Sequence, residues 1–434
     1  MTDTGKFMPL YALACLAPLV FLTLLPGPLP DSDRAAHTMW SRQLVSTGRL
    51  VISPDGVVND WRAYYPNTVP KPGDMLLSLF GVLAGSLMET LMWLGMAWLV
   101  LLAAVKTAPE RNAALLSGLF IGVNPVFLNL CITRSPAVPF LALVFLGCAK
   151  SSGFFYSLAS LVRPEGFLYG GWGFLKKKQP VVPVVLALSA GVWILLNAGA
   201  AGDLFWSGRE VRYCVAAMGY HTPNLITFPP WFLLRAVMVL GPFPMAALVC
   251  RLGKWNLRKP VGLNLLFLWA GLGFGSLVLP RYADQVLLLA VPFAIGGVLR
   301  AFSRLPKAAV AALCILGAML PWMETVESWK VELLLRKNLP LVAAALPRGV
   351  VAANELLVPR LALLQDIHDP SGKYVALDRA VWEGVEMDDL AAFGVTSIVL
   401  FHNDFYLSDH ARNWFDNRDT GIRVFNPESI GAQE

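Results

Sequence analysis

Between residues 7 and 323 the sequence returns repeatedly to apolar runs near the length a helix needs to cross a bilayer, roughly 20 residues. No other feature limits the fold as strongly. The runs lie near 7–29, 75–105, 112–131, 134–149, 180–200, 230–250, 261–279, 284–303 and 307–323. A further apolar stretch, 151–175, is broken at Arg163-Pro164. It is too short for two full crossings and too interrupted for one. It therefore reads as two short helices meeting at a break, because proline removes a helix donor and such breaks at membrane depth line a cavity or a protein interior. These segments predict an all-α polytopic membrane protein of about 11 transmembrane helices. Composition agrees: of 434 residues, 56% are hydrophobic and 15% charged, against roughly 25% charged in an ordinary soluble domain. Residues 7–29 read as a retained first span, since the apolar run continues past Cys15 and ends without a small-residue cleavage pattern.

The formal charge of +6 is gathered in short clusters between apolar runs, as in cytoplasmic loops, which excludes nucleic acid as the expected partner. Lys106 with Arg111, Lys150, Lys176-Lys177-Lys178, Arg251 with Lys254, Arg258 and Lys259, and Arg300 with Arg304 and Lys307 share one side if the broken segment goes up and back. That side is the cytoplasm by the lysine and arginine bias. The other face receives outer loops 30–74 and 201–229, the Arg134 turn, the Arg163-Pro164-Glu165 break, the Pro280-Arg281-Tyr282 turn and everything after about 323. The expected address is a bacterial inner (cytoplasmic) membrane, multi-pass, with the N-terminus cytoplasmic and the tail periplasmic. The six cysteines lie mostly inside apolar runs without a CxxC or metal spacing, so neither a disulfide framework nor a structural zinc is expected.

Two domains follow: a transmembrane domain over 1–323 and an extracytoplasmic α/β domain over 324–434. In the tail "RGVVAANE", "GKYVALD" and "VTSIVLFHN" read as strands, and "LVPRLALLQDI" and "MDDLAAFG" as helices. That alternation suggests a small soluble α/β domain with a parallel sheet. No internal repeat is visible, nor the interrupted helix pair at matching positions that an inverted-repeat transporter would carry.

"PDSDRAAHTMWSRQLVSTG" from Pro30 to Gly48 directly follows the first apolar run. Asp31 and Asp33 there share the outer face with arginines at other span ends. A carboxylate that takes a proton from a hydroxyl, facing cations that hold a phosphate leaving group, is the minimal kit for glycosyl transfer from a lipid-linked phosphosugar. Asp33 to Gly48, followed by "YYPNTVPKPGDMLLSLFG" from Tyr64 to Gly81, resembles the first outer loop of the GT-C superfamily of membrane glycosyltransferases. These include protein O-mannosyltransferases, lipid A aminoarabinose transferases and rhizobial lipopolysaccharide sugar transferases. "SLASLVRPEG" (157–166) is similar to the family's R-P-E-G break, and "PRYADQVLLLAVP" (280–292) to its R-Y-x-x-P run.

The resemblance implies a transferase that moves a sugar, with inversion, from a polyprenyl-phosphate donor to an extracytoplasmic lipid, glycan or protein acceptor. Asp33 stands at the position of the family's general base and Asp31 is the close second; Arg34 replaces the glutamate often found next, so both aspartates remain candidates. Lys71, in "VPKPG", matches the lysine of the K-P-P motif that holds the donor phosphate, although Gly73 replaces the second proline. Arg163 and Arg281 match further phosphate-binding positions, with Glu165 and Tyr282 in support. The superfamily admits a divalent metal, but lysine and arginine already supply the cation, so no metal site and no cofactor is expected.

Plainer roles stand beside these. Arg163 reads also as a snorkelling side chain, Lys71 as an interfacial anchor and Arg281 as a span-end charge. Trp206, Tyr213 and Tyr220 read as an interfacial aromatic belt, and Glu89 as a mid-helix group hydrogen-bonded to a neighbour. His368, Asp369, His402, Asp404 and His410 fit no metal-ligand spacing. Two rival functions remain: a multi-pass transporter or flippase of a lipid-linked anion, which predicts charges spread through the membrane depth, and a non-catalytic envelope assembly protein, indifferent to loss of Asp31 and Asp33.

Overall fold

Proline and glycine punctuate the apolar sequence into more and shorter helices than hydropathy alone draws. The computed structural model describes residues 4–24, 31–51, 61–62, 70–108, 110–209, 234–235, 237–246, 287–354, 357–367, 372–400 and 423–425. The protein is mostly helical. In order come α1 (Thr4–Ala14), α2 (Ala17–Thr23), α3 (Ser32–Thr47), α4 (Pro72–Ala84), α5 (Ser86–Thr107), α6 (Arg111–Val123), α7 (Pro125–Ile132), α8 (Ala137–Lys150), α9 (Gly153–Val162), α10 (Gly166–Lys177) and α11 (Val181–Ala201). Beyond them lie α12 (Val291–Ala301), α13 (Lys307–Ala318) and α14 (Trp322–Ala345).

Among the described residues three helical runs are long and apolar enough to cross a membrane: α5, α11 and Lys307–Ala345, which joins α13 to α14. A fourth is added if α6 and α7, bent by 56°, count as one span. The run expected near 261–279 lies outside the described residues. Where the sequence reading draws one span over 75–105, the chain breaks at Gly85, whose φ of 86° lies where glycine is at ease. As a result Glu89 sits in the first turn of α5 rather than mid-helix. The run 112–131 bends at Asn124. Pro125 has no N–H to continue the ladder, and the Asn124 side chain caps the helix that restarts there, accepting from the Val126 N–H at 3.0 Å and donating to the Val239 carbonyl at 3.0 Å. The segment after 323, expected to begin the soluble tail, instead continues as α14 to Ala345.

The chain divides into two compact units, each assembled from separated stretches. The first comprises 1–27, 86–190 and 221–328. Its core joins α1 and α2 to α5–α8 through residues such as Leu19, Phe120, Phe127, Phe140 and Phe145. The 151–175 stretch is a hairpin of two short helices, α9 and α10, meeting at Arg163-Pro164-Glu165. The hairpin closes tightly: a Cβ on Gly166 would stand 2.1 Å from the Ser160 nitrogen and 2.2 Å from the Ala159 carbonyl carbon. Both are backbone atoms of α9, which cannot rotate aside. Gly166→Ala is therefore expected to cost at least about 2 kcal/mol, read as a lower melting temperature of the purified protein. Gly171→Ala, where a Cβ meets nothing within 4 Å, is the matched control. Equal melting of the two variants would refute this packing.

The second unit comprises 28–85, 191–220 and 329–434. It contains a parallel four-stranded sheet of order β2-β1-β3-β4, with β1 (Val350–Ala353), β2 (Tyr374–Ala376), β3 (Val395–Val399) and β4 (Arg423–Phe425). The first three strands fall on the three stretches that the alternation of the tail singles out. Between β1 and β2 runs α15 (Val358–Leu364), and between β2 and β3 run α16 (Leu377–Trp382) and α17 (Met387–Ala392). One face of α3 is built into the same core: Ala36, Met39 and Trp40 cluster with Leu335, Leu339, Val351 and Leu361. Trp206 belongs to that cluster and is fully buried, which corrects its reading as an interfacial belt residue.

Candidate functional site

The polar stretch after the first apolar run folds because both of its ends are capped. Asp31 accepts a hydrogen bond from the Arg34 N–H at 2.7 Å, satisfying a donor that a helix start leaves over. Gly48 closes the other end at a φ of 69°. The resulting helix, α3, carries two buried stripes. Ala36, Met39 and Trp40 enter the apolar core described above, while Arg34, His37 and Ser41, at i, i+3 and i+7, face α4.

Polar groups of α4 receive that second stripe. Arg34, 1% exposed, has its guanidinium 3.5 Å from the Asp74 carboxylate and donates to the Asp74 carbonyl at 3.4 Å and to the Ser78 hydroxyl. His37, fully buried, has Nδ1 2.5 Å from the Asp33 carbonyl and 3.0 Å from Asp74 Oδ2. Its Nε2 accepts from the Lys71 backbone N–H at 3.0 Å. Lys71 is the N-cap of α4 and is itself 7% exposed. Its ammonium pairs with Asp33 Oδ2. Two of the residues singled out in the sequence, Asp33 and Lys71, are thus brought into contact across 38 positions of chain.

Asp31 is the third group here. Burial, and then the neighbouring Asp33 carboxylate, push its pKa up to about 6 from an ordinary 3.8. The bond from the Arg34 N–H and the Lys71 charge oppose the rise. A carboxyl whose folded value is raised supports the fold while protonated. That contribution is whole below about 4 and is lost as pH climbs through about 6. Asp31→Asn keeps the cap and removes the charge. It should melt several degrees higher than wild type at pH 7.5 and level with it at pH 4; equal melting at both values would rule out the strained carboxylate.

The remaining sequence candidates fall elsewhere. Arg163 and Glu165 lie in the first unit and pair with each other at 2.7 Å, both largely buried, with the Phe140 ring 5.6 Å from the guanidinium. Their partnership satisfies the charge of the α9–α10 break, in which Arg163 is the C-cap of α9. Arg281 and Tyr282 lie outside the described residues, as do His368, Asp369, His402, Asp404 and His410. Arg134 bonds Glu89 at 2.7 Å and the Thr90 hydroxyl at 3.1 Å, which gives the charge on α5 a local partner. Among the described residues no group of three His, Cys, Asp or Glu side chains is placed to hold a metal ion.

No protein-family model, curated protein or solved structure matches this chain. The chemistry of the site itself must therefore carry any functional reading. His37 and Asp74 are the residues that reading the sequence for motifs passes over. Their signals are present, since His37 lies one turn from Arg34 and Asp74 sits in the first turn of the helix that "VPKPG" opens, but they become legible only when α3 is laid against α4.

Proposed function

We propose that this protein is an integral membrane glycosyltransferase that moves a sugar from a polyprenyl-phosphate donor to an extracytoplasmic acceptor with inversion. The observation that carries the reading is the Asp31–Asp33–Lys71 group, two carboxylates and one ammonium held on a buried polar framework next to each other. One carboxylate takes the proton of the acceptor hydroxyl as that oxygen attacks the anomeric carbon. The bond from that carbon to the phosphate oxygen breaks, its electron pair leaves on the polyprenyl phosphate, and the Lys71 ammonium offsets the charge that develops there.

The proton affinities favour Asp31 as the base, because a carboxyl raised to about 6 is nearer the working range of a general base than an ordinary aspartate. Asp33 is the alternative, released for the role when Lys71 turns to the donor phosphate. The phosphate roles of Arg163 and Arg281 rest on the family resemblance alone, as do the supporting roles of Glu165 and Tyr282. Helices long and apolar enough to span a bilayer agree with a membrane location. We place the protein in a bacterial cytoplasmic membrane with about 11 spans, its N-terminus inside and its sheet-bearing tail in the periplasm.

The test is transfer by purified protein in proteoliposomes, from a panel of radiolabelled polyprenyl-phosphate sugars to a lipid, glycan or peptide acceptor. Transfer by wild type that is lost on Lys71→Ala and on one aspartate-to-asparagine change supports the reading. Absence of transfer from every donor, with binding of an anionic polyprenol retained, transfers support to a flippase.

A further inference from the structure

In a common helix start, a carboxylate at the third helical position reaches back to the N–H of the capping residue and the two satisfy each other. At the start of α4 the pieces are present but separated. Lys71 is the cap, Pro72 and Gly73 follow, and Asp74 occupies the third position. An imidazole from another helix stands between them: His37 Nδ1 lies 3.0 Å from Asp74 Oδ2, and His37 Nε2 accepts the Lys71 N–H at 3.0 Å. All of this lies inside the protein, with His37 and Asp74 fully buried.

We propose that His37 is a positioning residue for Lys71: held by the Asp33 carbonyl beside the Asp74 carboxylate, its imidazole fixes the Lys71 backbone so that the ammonium is delivered to Asp33. Three observations support it independently of any motif. Nε2 accepts a backbone N–H, so the ring proton sits on Nδ1. That nitrogen faces two oxygens, the Asp33 carbonyl at 2.5 Å and the Asp74 carboxylate, and such partners set which tautomer a histidine adopts. The ring also spans Asp33 and Lys71 directly, touching the backbone of both members of the ion pair. Arg34 also faces Asp74, its guanidinium 3.5 Å from the carboxylate. Trp40, edge-on at 5.3 Å between ring centroids, limits how far the imidazole turns.

The catalytic consequence of this placement rests on the transferase reading above. Two measurements keep the two apart. In wild-type protein with ¹⁵N-labelled histidine, one of the five histidines should show a protonated Nδ1 and a bare, hydrogen-bonded Nε2, the minority form of free imidazole. His37→Gln should remove that signal. Competitive acylation read by mass spectrometry should find Lys71 slow in wild type, about tenfold faster in His37→Leu, which has no acceptor, and near wild type in His37→Gln, whose amide oxygen replaces Nε2.

An Nε2–H tautomer at His37, or unchanged Lys71 acylation in folded His37→Leu, overturns the proposal. Should His37→Leu fail to fold, the wild-type tautomer and the glutamine variant still decide it. In the transfer assay His37→Leu should lower kcat about tenfold with donor KM changed less, and His37→Gln should restore it. The expected tautomer and acylation pattern in a protein that transfers no sugar would uphold the positioning role and sink the transferase reading alone.

Discussion

Asparagine at the base position should lower kcat for sugar transfer by about 10²- to 10⁴-fold, the usual contribution of a positioned proton acceptor. An amide matches the carboxylate in size and keeps the hydrogen bonds that a cap requires, so donor KM should stay within a few fold. The two aspartates are separable by this measurement. If Asp31 is the base, wild-type kcat should fall as pH drops through about 6, the value to which burial and Asp33 push its carboxyl, and Asp31→Asn should combine the loss of turnover with the higher melting temperature expected at pH 7.5. A group strained for chemistry behaves in that way, giving up stability for a proton affinity that water would not supply. If Asp33 is the base, Asp33→Asn abolishes turnover while Asp31→Asn leaves most of it. Retention of kcat by both variants would remove the carboxylates from the chemistry and return the assembly-protein reading.

Asp74→Ala should cost about 3–5 kcal/mol of stability, the range for breaking a buried ion pair on one side only. Arg34 is 1% exposed and Asp74 fully buried, and the guanidinium that remains would keep the Ser78 hydroxyl and two backbone carbonyls but lose the Asp74 carboxylate 3.5 Å away. Solvent cannot reach it without separating α3 from α4. The double variant Arg34→Met, Asp74→Leu tests the cause, because replacing a buried pair by apolar groups of similar volume is often close to neutral. Melting of the double variant should lie well above that of Asp74→Ala. A single variant within about 1 kcal/mol of wild type would show that the pair is wetter than its burial implies.

Much of the helical character was legible in the sequence because apolar runs and their punctuation are local. The break at Arg163-Pro164-Glu165 could be placed because proline forces it. Gly85 and Asn124 were missed inside runs that hydropathy reads as continuous, since neither lowers the mean enough to register, while a left-handed glycine and a capped bend are backbone events. The strands at 350, 374 and 395 were visible as short apolar runs between turn signals, but α14 was not, because Glu324, Glu327, Lys330 and Glu332 give its start the look of a solvated tail. At the site, Asp33 and Lys71 could be proposed from neighbouring motifs and do meet. His37 and Asp74 could not, because their meaning comes from a relay between two helices whose register no local pattern specifies.

The Arg42 guanidinium bonds the Asp366 carboxylate from 324 positions away, 3.4 Å apart, and this exposed contact marks a wider arrangement: the apolar stripe of α3 is covered by Leu335, Leu339, Val351 and Leu361. In biogenesis, the ribosome makes the candidate site's helix near the beginning and its cover nearly three hundred residues later. Until that cover emerges, Trp40 and Met39 have only the earlier members of their core, Met75, Ala200, Ala201 and Trp206, to pack against, and a nascent chain stalled before residue 335 would leave part of the α3 stripe uncovered. A chain that ends before residue 335 should therefore hold α3 less firmly than the full protein does.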